Sequence, residues 1–146
     1  MRKFVPLALL GLLALGAAGC ATTEGYGKQK VVYHINYDDP KAIKATMKNV
    51  QNHINAVGKE NLDLRVVTHG DGAALLKLAK EDQDMKSTVD NLKLQGVVFN
   101  VCSNTLKGKK LNYKTDLYDV SEKDIVQAGV AEIAKLQQQG YVYIKP

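Results

Sequence analysis

Residues 97–106, VVFNVCSNTL, set a run of strand-forming apolar residues directly against a cysteine and a turn-forming Ser-Asn pair. Valine and phenylalanine favour the pleated backbone, and a short apolar run bounded by turn signals suits a strand covered on both faces. The run therefore predicts a strand over Val97–Val101, released from a preceding helix by Gly96 and stopping at Cys102. Which fold holds that strand depends on what flanks it.

Upstream, Met85–Gln95 carries Met85, Val89 and Leu92 on one helical face, and Ala73–Lys80 is also helix-prone. Before them Leu64–Thr68 reads as a second strand, stopping at His69-Gly70-Asp71-Gly72. Val31–Ile35 is an earlier strand, again without clean alternation. Between these two, Asp38-Asp39-Pro40 offers an N-cap and a proline at the first helical position. Ile43, Met47, Val50, Ile54 and Val57 then recur at spacings of four and three, one helical stripe that Gly58 ends.

Downstream, Leu106–Glu122 is the least periodic part, with Tyr113, Leu117 and Tyr118 as anchors. Ile125-Val126 is a minimal fourth strand, Gly129–Gln139 a helix closed by Gly140, and Tyr141–Ile144 a fifth strand. Strands alternating with helices of this length predict an α/β fold with parallel pairing through right-handed crossovers.

The opening of the chain follows different rules. Met1-Arg2-Lys3, an apolar run over Phe4–Leu15 interrupted by Pro6, and the small residues Gly16-Ala17-Ala18-Gly19 before Cys20 have the layout of a signal peptide over residues 1–20. The run is shorter than the roughly 20 apolar residues of a membrane-spanning helix. Its end resembles a bacterial lipobox, although Ala17 stands where leucine is commonest, and the resemblance implies acylation of Cys20. Cleavage by ordinary signal peptidase, for instance after Ala21, is the alternative. Acyl chains would anchor the protein stably, and Ala21 in place of an aspartate favours the outer membrane of a two-membrane bacterium. Residues 21–29 then form a polar, glycine-bearing tether, and residues 30–146 the folded domain. The roughly 125 residues after Cys20 suit one core.

Charge and composition exclude several classes. The formal charge of +5 falls to +3 without Arg2 and Lys3, too mild and scattered for nucleic acid. Two cysteines exclude a disulfide scaffold, and acylated Cys20 would leave Cys102 unpartnered; a Cys20–Cys102 disulfide remains the alternative if lipidation fails. His34, His53, His69 and Cys102 show no metal-ligand spacing, His-Gly-Asp-Gly is no phosphate loop, and no cofactor is called for.

Parallel pairing gathers Asn36, His69-Gly70 and Cys102-Ser103-Asn104 at one edge, where strand carboxyl ends meet the following loops. Cys102 precedes a short helix or turn whose N–H groups would lower a thiol pKa from its usual value of about 8.5, the alternative being a buried structural cysteine. His69 would assist that thiolate if the second and third strands are neighbours, while Ser103 and Asn104 would supply hydrogen bonds. His34, inside a strand, and His53, inside the first helix, read as structural or exposed.

The phrases LRVVTHGDG, GVVFNVCSNTLKG and AGVAEIAKLQQQGYVYIKP resemble the DsrE/DsrF-like (YchN-like) proteins over residues 30–146, with Cys-x-Asn-x-Leu at 102–106 among the more specific matches. The resemblance implies a three-layer α/β/α fold on a five-stranded parallel sheet, commonly assembled into homo-oligomers. It also implies that Cys102 carries sulfane sulfur as a persulfide, exchanging it with a thiol protein or a small sulfur compound. Export departs from the best-known members and argues against their transfer-RNA chemistry. The competing expectation is a non-catalytic ligand-binding or assembly module of the envelope. The tyrosine-bearing stretch Leu111–Val120 is a candidate contact surface between copies.

Overall fold

The structure, a computed structural model, describes residues 25–146. The signal-peptide reading, Cys20 and the first residues of the tether lie outside the described residues. The elements run β1 (Gln29–Ile35), α1 (Pro40–Val57), β2 (Leu62–Thr68), α2 (Ala74–Glu81), α3 (Gln83–Leu94), β3 (Val98–Cys102), α4 (Ser103–Gly108), α5 (Tyr113–Asp116), β4 (Ile125–Val126), α6 (Gly129–Gln138) and β5 (Val142–Ile144). The strands form one all-parallel sheet in the order β4-β3-β2-β1-β5, with helices on both sides.

Local chemistry accounts for α1. The Asp39 side chain accepts from the Ala42 N–H at 2.7 Å, Pro40 opens the helix, and Gly58 closes it at φ 87°. Ile43, Met47, Val50, Ile54 and Val57 are all buried. Burial of each such side chain contributes about 1.5–3 kcal/mol.

Alternation along the strands divides the core in two. Val31, Tyr33 and Ile35 of β1, with Leu64, Val66, Phe99 and Val101, face the larger layer built on α1, α2 and α3. The intervening positions Val32 and Val67 face Ile133, Leu136 and Tyr141 under α6. The chain steps from β1 through β4 with its connections on the first face, then returns over the second face as α6 to place β5 at the opposite edge. Reversing both direction and face keeps one crossover hand.

Three details differ from the sequence expectations. β1 begins at Gln29, two residues before the expected Val31, because the Gln29 side chain bonds the His53 ring at 2.7 Å and its backbone pairs opposite Leu62. Cys102 is the last residue of β3 instead of lying past it. Tyr141 precedes the last strand and packs under α6. Within Leu111–Val120, Leu117 is buried and Leu111, Tyr113, Tyr118 and Val120 pack half-buried against the larger core. Among the described residues, no helix is long and apolar enough to cross a membrane.

Candidate functional site

Cys102 ends β3, whose neighbours are β2 and β4. The chain leaving β3 turns to the α1 face, where Leu106 of α4 joins the larger core, whereas the chain leaving β4 turns to the opposite face as α6. Adjacent strands whose connections part to opposite faces leave a crevice at their carboxyl ends. Cys102 occupies that switch point, with the first turns of α4 and α6 on either side.

The two helices are cut to fit the sulfur. Ala128, at the N-cap of α6, has no side-chain oxygen to occupy the first N–H groups. At Gly129 a Cβ would fall 2.8 Å from the His69 Cβ, so only glycine lets α6 approach this closely. Cys102 is 5 % exposed and makes no close cap bond to α4. Burial pushes its thiol pKa up. The Gly129 N–H, the Thr105 hydroxyl and the N–H groups of Thr105 and Asn104 outweigh that burial and hold the thiol below its ordinary value. The sulfur still opens into a depression of about 290 Å³ lined by His69, Gly70, Asn104, Thr105, Ala128 and Val130.

The end of β2 supplies the next wall. Gly70 takes φ 56°, and its N–H donates to the Thr105 hydroxyl oxygen at 2.7 Å, linking β2 to α4 beside the thiol. A Cβ at Gly72 would lie 2.0 Å from the Ile35 carbonyl oxygen. The two glycines of His-Gly-Asp-Gly thus serve a positive φ and a close backbone approach. His69 lines the depression, and its pKa is lowered by burial and by Lys145. Both influences favour the neutral imidazole over the imidazolium.

His34 was legible only as a structural strand residue, yet its Nε2 meets His69 Nε2 at 2.7 Å and its Nδ1 meets the Tyr143 hydroxyl at 2.7 Å. Thr105 was likewise unremarked. Asn104 lines the depression, whereas Ser103 begins α4 outside its lining. Asn36 follows β1 and packs beside Gly72, and the structure does not bring it to Cys102. The parallel register explains that split. Paired residues Val67 and Asn100 share the α6 face, so His69 and Cys102, two residues further on, share it too. His53 bonds Tyr33 and Gln29 away from this site. Among the described residues, no group of three metal-ligating side chains comes together. A larger cavity, about 580 Å³, opens beside Val97 and Val98 at the amino end of β3, with Lys93 and Asp119 on its wall already paired at 2.7 Å.

Comparison with known proteins bears on this arrangement. A family model described as DsrE/DsrF-like matches residues 29–146. The solved structure of MTH1491, a protein of unknown function from Methanobacterium thermoautotrophicum, is 32% identical and superposes with a TM-score of 0.70, covering 82% of this chain and 100% of that one. No curated protein matches the chain.

Proposed function

The chain belongs to the DsrE/DsrF-like family, and from that premise we propose that it is a sulfur carrier of the cell envelope, holding sulfane sulfur as a persulfide on Cys102. The thiolate attacks the outer sulfur of a donor persulfide or polysulfide. A bond to the Cys102 sulfur forms as the donor's S–S bond breaks, and the electron pair leaves on the donor's thiolate. A second thiol, ionised, then attacks the outer sulfur and releases the Cys102 thiolate. A lowered pKa favours both halves, since it populates the nucleophile and improves the leaving group.

The observation that carries this reading is the place of Cys102 at the sheet's switch point, where it lines a depression together with Asn104, Thr105 and Gly129 at the starts of α4 and α6. The donor and acceptor are a thiol protein or a small sulfur compound. The lipobox-like end at Cys20 supports export and acyl anchoring to the outer membrane, and family resemblance supports homo-oligomers. Incubation with polysulfide followed by mass spectrometry tests the carrier. One added sulfur on Cys102, absent in Cys102→Ser and removed by reductant, is expected. Failure of every sulfur donor to leave an adduct would overturn the carrier and favour a non-catalytic binding module.

A further inference from the structure

Sulfur exchange at a thiol needs somewhere for the thiol proton to go, and three side chains beyond Cys102 are joined in a row. His34 is 8 % exposed on the α6 face of β1, between Val32 and the following loop. Both of its nitrogens are engaged by titratable groups: Nε2 by His69 Nε2 and Nδ1 by the Tyr143 hydroxyl. The two imidazole planes lie 24° apart, and their nitrogens approach more closely than stacked faces can. The rings therefore meet nose to nose with one proton between them. At one end of the row His69 lines the depression that holds Cys102. At the other, Tyr143 on edge strand β5 is 39 % exposed.

We propose that His69, His34 and Tyr143 form a proton-conducting chain between the Cys102 depression and solvent at the β5 edge. The inference rests on the carrier reading of Cys102. Two tautomeric arrangements satisfy every bond in the row. In the first, His69 Nε2–H donates to His34 Nε2, His34 Nδ1–H donates to the Tyr143 oxygen, and His69 Nδ1 is a bare acceptor. In the second all three protons have moved one place along: His69 Nδ1 carries a proton, the Tyr143 hydroxyl donates to His34 Nδ1, and His34 Nε2–H donates to His69 Nε2. Passing between them admits one proton at His69 and releases one at Tyr143. His69 Nδ1 has no bond to the described residues and is not sealed from solvent. His69 itself lines the depression, and in the proposed chain this free nitrogen is where a proton from an occupant would enter.

The surroundings suit conduction over storage. Lys145 acts on both rings, no carboxylate is bonded to either among the described residues, and burial disfavours an imidazolium on each. A neutral pair relays a proton without trapping it. During sulfur transfer the chain takes the Cys102 proton before attack and returns one to the departing donor thiolate. Each turnover thus restores the starting tautomers with no net redox change.

Two measurements on the full-length chain test the proposal separately from the carrier. In protein labelled with 15N-histidine, the chain requires His34 and His69 to change tautomer together, and Tyr143→Phe to shift His69 as well as His34. Rings that respond independently would overturn the chain, whatever Cys102 does. Single-turnover sulfur loading from polysulfide should slow about a hundredfold in His34→Gln and in Tyr143→Phe, the low end for positioned proton transfer. Added free imidazole should restore much of that rate, which no purely structural defect would allow. Unchanged loading in Tyr143→Phe, an edge-strand change that leaves the core intact, would overturn the chain while leaving the carrier standing. Wild-type protein that loads no sulfur would overturn the carrier, and the chain is then decided by the histidine spectra.

Discussion

Cys102 combines burial, which disfavours a thiolate, with four donors that favour it, and the donors win. Thr105 does double service, its hydroxyl accepting from Gly70 and facing the sulfur. Thr105→Val should therefore raise the thiol pKa and slow alkylation of Cys102 at neutral pH. It should also cost about 1–3 kcal/mol, because the Gly70 N–H loses its partner. A pH profile of iodoacetamide labelling and a denaturant titration read the two effects. His34 makes a second prediction. Burial first, then His69 and Lys145, lower its pKa from 6.5 to about 4. Between those values the unfolded chain binds more protons than the folded one, so stability is full above about pH 6.5 and falls as pH drops toward 4. The loss should be on the order of 2 kcal/mol, allowing for solvent screening, and smaller in His34→Gln. Stability that rises on acidification through this window would refute it. Neither residue's role was visible in sequence, since Thr105 stands 35 positions from Gly70 and His34 stands 35 from His69 and 109 from Tyr143.

Among the elements, the turn from Gly70 to Ala73 and α6 do most to shape the site. Gly72 passes so close to the end of β1 that an added Cβ would strike backbone, not a side chain that could rotate away. Gly72→Ala should destabilise the fold by about 4 kcal/mol or more, seen as a large drop in denaturant midpoint; a loss below about 1 kcal/mol would show that the turn yields freely. The helices themselves were legible because their signals are local. Asp39, Pro40, Gly58 and the five-residue stripe act within a few positions of one another. Leu106–Glu122 was not legible, because α4 and α5 are one turn or so long and their apolar residues answer to α2 and α3 rather than to a helical period. For the same reason the packing of Leu111, Tyr113, Leu117, Tyr118 and Val120 against the larger core was not legible.

For the whole molecule, the proposed anchor gives a prediction independent of Cys102. Cys20→Ser should move the protein from the membrane to the soluble envelope fraction, judged by fractionation and immunoblot. Membrane association unchanged in that variant would sink the acylation.

Element order, helix faces and the parallel sheet were determined by the sequence itself, because hydrophobic period, caps and strand-ending glycines are short-range. The placement of Cys102 at a strand end before a helix belongs to the same class. Tertiary structure alone decided that β3 and β4 send their connections to opposite faces, which sets the Gly129 N–H against the sulfur. It alone joined His69, His34 and Tyr143. Those contacts depend on strand order, register and the face each side chain takes, and these are set only when the whole sheet closes around its two cores.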